Sequence, residues 1–353
     1  MTRTNRLLDL LGIDLPILQA PMAGVSTPHL AAEVSEAGGL GALGLGASDM
    51  TAARSTVQQL QELTARPFNL NVFCHADPIR DPATEKSWIA RASPLFDRFA
   101  SPSPKALDCI YDSFRHDDAM LEMLLDLRPA VVSFHFGLPR PDQMQRLKSA
   151  GLVMLATATS AQEARMVQDA GCHAVIAQGW EAGGHRGIFD PVAPDARLTT
   201  DRLVPQIIRA VDLPVVAAGG LMTGQDIAQV MSWGAAGAQL GTAFIGCPES
   251  GADDAYRDRL ALGGETVMTA AISGRPARCL DNALTEWAAD AALDAIPAYP
   301  CAYDLAKAIA RAASAKGATA FAAQWAGSSV ERSRVMPAAQ LVETLAAELT
   351  QAL

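Results

Sequence analysis

Short apolar runs recur along this chain, and most are followed by a longer stretch with helical spacing of its hydrophobic positions. The pattern predicts strands at residues 16–20, 40–45, 68–73, 130–136, 153–157, 173–178, 214–218 and 237–245. Helices are predicted at 28–37, 49–63, 117–127, 141–150, 161–170, 200–211 and 224–233. Ser160 and Thr223 stand where an N-cap hydroxyl is wanted, and Gly38, Gly151, Gly171 and Gly234 where helices end. Near-continuous apolar strands alternating with helices imply a parallel sheet covered on both faces. Eight such strands suit an α/β fold of the (β/α)8 TIM-barrel type. A doubly wound open sheet competes, and strand counting alone leaves it open; the barrel is favoured.

Two regions break the alternation. Residues 76–117 are rich in Pro, Ser and Asp and too long for an ordinary connection. Residues 263–317 follow the last strand and read as largely helical. Together they are expected to form a smaller substrate or lid domain on a barrel made of 1–75, 118–262 and 318–353. Residues 337–353 read as an amphipathic helix completing the outer ring.

Composition narrows the function classes. Half of the 353 residues are hydrophobic, 19% are charged and the net charge is −10. A basic face for nucleic acid is absent. The apolar segment at 7–18 is cut by Asp9 and Asp14 and has no cleavage-type ending, and no run approaches a membrane span. The default compartment is the cytoplasm. Six cysteines lie scattered without a C-x-x-C pair, so neither a disulfide framework nor a metal site is expected, and they read as reduced core thiols.

Candidate chemistry gathers at the predicted strand ends. The run from Val175 to Arg186, VIAQGWEAGGHR, takes a buried strand into a glycine-paired turn that carries His185. Glycine-rich turns, AGGLMTG from Ala218 and QLGT from Gln239, follow the seventh strand and fall within the eighth, where barrels place phosphate sites. A formal G-x-G-x-x-G at Gly39, Gly41 and Gly44 follows a helix and lies within a strand, the reverse of a dinucleotide fingerprint. Asn71 and Gln178 are amides inside apolar strands, facing either a ligand or neighbouring backbone. His135 ends the fourth strand, as a pocket residue or a satisfied core histidine. Tyr299, Tyr303 and Lys307 are spaced to share one helix face and would suit a small anion.

The segments QAPMAG, NLNVF, SFHFG, QGWEAGGHRG, AAGGLMTG, QLGTAF and AYPCAYDLAK together resemble class I nitronate monooxygenases (2-nitropropane dioxygenases), from about residue 14 to about 327. That resemblance implies an FMN-binding barrel with a smaller substrate domain. FMN would contact Met22, Ala23, Gly24, Asn71, Gln178 and Gly183. Gly220 and the run Gln239, Leu240, Gly241 and Thr242 would hold its phosphate end. His185 matches the active-site histidine, with His135 beside the flavin; Tyr299, Tyr303, Lys307 and, in the first insertion, Tyr111 match the substrate side. The segment Trp325-Ala326-Gly327-Ser328-Ser329 has serines where the family's tail has glycine. The implied reaction is oxidation of an alkyl nitronate, propionate 3-nitronate foremost, by O2 through a flavin semiquinone. Its products are an aldehyde plus nitrite or nitrate, and the expected assembly is a monomer or homodimer. The rivals are an NAD(P)H-dependent FMN reductase of enoyl thioesters or quinones, and a flavin carrier or sensor without turnover.

Overall fold

Hydrogen bonding settles the choice between barrel and open sheet. The structure, a computed structural model, describes residues 2–353. In chain order its strands are β1 (Ile17–Gln19), β2 (Gly41–Gly44), β3 (Phe68–Phe73), β4 (Val131–His135), β5 (Val153–Ala158), β6 (Ala174–Gln178), β7 (Gly184–His185), β8 (Val215–Ala218), β9 (Gly237–Leu240), β10 (Thr266–Thr269) and β11 (Ala277–Leu280). Eight of them pair in parallel in the order β1-β9-β8-β6-β5-β4-β3-β2. The ends meet through a parallel bridge between Leu18 and Leu40, so the sheet closes as a barrel.

That closure is thin in backbone bonds and is reinforced by a side chain. Gln19, 1% exposed, donates its amide Nε2 to the Ala42 carbonyl at 3.1 Å and accepts from the Ala42 N–H at 3.1 Å. A buried glutamine thus takes the ladder's place between β1 and β2, satisfying groups that would otherwise be stranded. Below, helix Arg3–Leu11 sends Leu7 and Leu11 into the apolar cluster formed by Leu18, Val131, Leu155 and Val216 and plugs the barrel floor. Thr2 caps its first turn and Gly12 ends it in the left-handed conformation. The strand/helix alternation does not include this helix.

The predicted eight strands are present, with boundaries shifted by a few residues, and the C-terminal helix runs over Ala338–Ala352. The insertions differ from expectation. The first contains a long helix, Pro82–Arg98, capped by Asp81. The second is not largely helical: β10 and β11 pair antiparallel, and β11 pairs with β7, the strand carrying His185. Alternation in TVMT and ARCL is too short to distinguish from helix by period. Both insertions share one apolar cluster, with Trp88, Ala92 and Phe96 meeting Leu305 and Ile309, and Phe321, beyond the second insertion in the segment expected to belong to the barrel, packs into it too. Among the described residues no helix is long and apolar enough to cross a membrane.

Candidate active site

The C-terminal ends of the barrel strands open into a cavity of 410 Å³, within the usual size range of small-molecule sites. Met22, Ala23, Gly24, Asn71, His135, Gln178, Gly183, His185, Gly220, Gln239, Gly241, Thr242, Tyr111, Tyr299, Tyr303 and Lys307 all border it. Leu240 does not: its side chain is wholly buried in the hydrophobic core, because alternation along β9 turns it away from Gln239.

Glycines shape one wall. A Cβ on Gly183 would lie 2.5 Å from the Ala326 carbonyl carbon and the Gly327 nitrogen, so only glycine lets the tail pass. Gly327 donates its N–H to Thr242 Oγ1 at 2.9 Å, and Trp325, Gly327 and Ser329 border the cavity despite the departures from the family's glycine pattern. Gly220 has φ +75, in the region glycine tolerates. Two acceptors face this space. Gln239 Oε1 is buried without a partner, and Asn71 spends its Nδ2 on the Ser133 carbonyl and hydroxyl at 3.1 and 2.9 Å, leaving Oδ1 uncommitted.

Gln178 is engaged by backbone instead. Its Nε2 donates to the His185 carbonyl at 3.0 Å and its Oε1 accepts from the Gly187 N–H at 2.7 Å. Arg186, 1% exposed, donates to the Gln178 carbonyl and pairs with Asp195 at 2.8 Å. His135 adds a further tie: Nε2 donates to the same His185 carbonyl at 3.1 Å, so Nδ1 must be the acceptor of the Thr157 hydroxyl at 3.1 Å. Burial, aided by Arg275 and Arg186, lowers the His135 pKa to about 4 even though the carbonyl bond opposes it. His135 is therefore a neutral, satisfied histidine that positions its neighbour.

His185 itself is fixed by Ser273. The Ser273 hydroxyl donates its single proton to the Arg275 carbonyl at 3.1 Å and so accepts from His185 Nε2 at 2.9 Å. Nδ1 is left as a free lone pair. Burial first, then His135 and Arg275, lower the His185 pKa to about 3, so the ring is neutral at ordinary pH. Around it stand Phe136, Tyr299, Tyr303 and Trp325, with ring centroids 4.9–6.0 Å away. Behind Phe136 lies Arg275, 3% exposed and without a carboxylate partner among the described residues; its guanidinium stacks on that ring at 4.3 Å. Neither Ser273 nor Arg275 carries a local signal in the sequence, since their roles exist only once β7 and β11 pair.

Beside the same rings stands a cation. Lys307 Nζ lies 5.0 Å from the centre of the Tyr111 ring and 5.3 Å from that of Tyr303, and it forms no ion pair among the described residues. Burial, then Arg311, lowers its pKa. Tyr299 Oη is buried without a partner. Burial raises all three phenols, Tyr111 to about 12, so each stays a protonated donor. Tyr303 and Lys307 share a face of helix Cys301–Ser314, whereas Tyr299 precedes the helix and reaches the same cavity from the preceding turn.

The whole chain has close counterparts among known proteins. A profile of the family described as nitronate monooxygenase matches residues 4–348. A nitronate monooxygenase of Paraburkholderia phytofirmans is 49% identical, covering 100% of this chain and 97% of its own length. One from Pseudomonas aeruginosa is 47% identical, with 98% and 99% covered. The crystal structure of a nitroalkane oxidase from Streptomyces ansochromogenes superposes with a TM-score of 0.89 at 41% identity, covering 98% of both chains.

Proposed function

The chain belongs to the nitronate monooxygenase family, and from that premise we propose that it is an FMN enzyme oxidising small anionic alkyl nitronates with O2, propionate 3-nitronate foremost. The observation that carries the substrate class is Lys307: an ammonium half-buried between two phenol rings, unpaired, lining the cavity. A half-buried cation held in no ion pair favours an anionic ligand.

The residues present fit the cofactor. Asn71 Oδ1 is an uncommitted acceptor for a ring imide N–H, and the orphaned Gln239 Oε1 suits a hydroxyl donor. Gly183 and Gly220 leave backbone room for the phosphate-bearing end, alongside Gly241 and Thr242. Met22, Ala23 and Gly24 form an adjoining wall. Gln178 and His135 act through backbone, locating the His185 turn. Bound FMN supplies one-electron exchange with the nitronate and with oxygen.

The chain's own groups bind and orient. Lys307 attracts the carboxylate of propionate 3-nitronate, while Tyr299 and Tyr303 donate hydroxyl hydrogens to anionic oxygens. The aromatic wall around His185 excludes water and strengthens those contacts. His185 offers neither positive charge nor a free N–H to the nitro group; its bare Nδ1 accepts a proton only when a neutral nitroalkane, with an acidic α-carbon, enters. A nitronate arrives without that proton. In the overall reaction the C–N bond breaks and carbon takes oxygen as an aldehyde. Nitrogen leaves as nitrite, or as nitrate when it keeps a further oxygen atom. The test is oxygen uptake by the FMN-loaded protein: propionate 3-nitronate should drive it, yielding aldehyde with nitrite or nitrate. No uptake with any alkyl nitronate would refute the reading.

A further inference from the structure

The two insertions touch through a pair of thiols. Cys109 Sγ and Cys301 Sγ lie 3.2 Å apart although 192 positions separate them in the chain. Cys109 is exposed and Cys301 is wholly buried at the start of helix Cys301–Ser314. The other four cysteines, Cys74, Cys172, Cys247 and Cys279, are buried. Separate bonds hold the contact. The Asp108 N–H donates to Asp304 Oδ2 at 3.0 Å, one residue from Cys109 and three from Cys301. Arg80 donates to the Leu107 carbonyl at 2.7 Å. A disulfide needs sulfurs at roughly 2.0 Å, so the thiols must approach by about one ångström.

We infer that Cys109 and Cys301 form an oxidisable dithiol, a modification site for peroxide that joins the first insertion to the second beside the cavity. The exposed Cys109 sulfur is the one peroxide reaches. As thiolate it attacks one peroxide oxygen, the O–O bond breaks and the other oxygen leaves as water, making a Cys109 sulfenic acid. Cys301 then displaces that oxygen as a second water and the S–S bond forms. Two thiols lose two electrons and two protons, and one peroxide becomes two waters. The Cys301 thiol, pushed up to about 12 by burial and by its hydrogen bond to Cys109, rests protonated, and its proton leaves with the sulfenic oxygen as water. The bond falls two residues from Tyr111 and between Tyr299 and Tyr303, so oxidation pins the rings that flank Lys307.

The test uses the fully reduced, desalted full-length protein, treated with hydrogen peroxide, denatured, alkylated and weighed. Wild type should lose alkylation at two of its six cysteines. Digestion should join the peptides carrying Cys109 and Cys301, and dithiothreitol should restore both sites. Cys109→Ser, at an exposed position, should keep every remaining cysteine alkylatable, whereas Cys301→Ala should show no linked peptides and should leave Cys109 as a sulfenic acid that dimedone captures. The wild-type Tm should rise on oxidation and that of Cys109→Ser should not, since closing a long loop restricts the unfolded chain. Three outcomes would overturn the inference. They are full alkylation after peroxide, a Cys109 sulfinic acid beside a free Cys301, and a Cys109–Cys109 link between two chains.

Discussion

The imidazole of His135 donates Nε2–H to the backbone carbonyl of His185 at 3.1 Å, so one histidine holds the turn that presents the other. Gln178 Nε2 reaches the same oxygen at 3.0 Å. Removing one of two donors to a buried carbonyl costs about 1 kcal/mol when water does not replace it. His135→Phe should therefore lower turnover roughly 10-fold, in line with that energy scale and some misplacement of the turn, while leaving FMN bound. Steady-state kinetics and the flavin content of the purified variant check it; unchanged turnover would make the bond incidental.

The same two histidines predict acid sensitivity. Both have native pKa values below the ordinary 6.5, at about 4 for His135 and about 3 for His185. In the unfolded chain they take up protons near 6.5, so between those values the unfolded state binds more protons and gains on the native one. Stability present above about pH 6.5 is lost progressively as pH falls toward 4. Urea midpoints measured from about pH 7.5 down to about pH 4.5 should fall, and His135→Phe should flatten part of that slope. An identical slope in the variant would show that His135 is not a source of it.

Lys307→Met tests the anion end. Loss of a charge-assisted contact is worth about 1.5–3 kcal/mol, so KM for propionate 3-nitronate should rise roughly 10- to 100-fold. KM for ethyl nitronate, which has no carboxylate, should change by less than about threefold, within the range of a lost packing contact. Equal rises for both would remove Lys307 as the carboxylate partner.

Gly183→Ala tests the cradle. The added methyl would sit 2.5 Å from the backbone of Ala326 and Gly327, neither the flexible end of a side chain, so the tail must move. FMN affinity, followed by quenching of flavin fluorescence on titration into the apoprotein, should weaken roughly 5- to 150-fold, since overpacking typically costs about 1–3 kcal/mol. Wild-type affinity in the variant would show that the tail is not part of the site.

Most of the barrel was legible because fully buried parallel strands write themselves as unbroken apolar runs, as in AVIAQ at β6. The floor-plugging helix was less visible, because RTNRLLDLL precedes the first strand and stands outside the repeating unit. The small sheet was hidden for another reason: β7 is two residues long, and its partner lies about ninety positions away, so nothing local announces the pairing. The cavity residues were legible through motif resemblance, apart from Leu240, where the run QLGT hides the alternation that points one side chain in and the next away. Gln178 read as equally suited to ligand or backbone, and backbone takes both ends of its amide. Cysteines expected in the core include one, Cys109, that is exposed, because the Pro- and Ser-rich insertion gives no periodic face to read.

The most direct test of the central claim is anaerobic rapid mixing of the FMN-loaded protein with propionate 3-nitronate and, separately, with NADPH, following the absorbance of oxidised flavin. The nitronate should change the spectrum rapidly, within turnover time, while NADPH should leave it oxidised. Rapid bleaching by NADPH, with no response to the nitronate, would contradict it and make the protein a nicotinamide-dependent reductase.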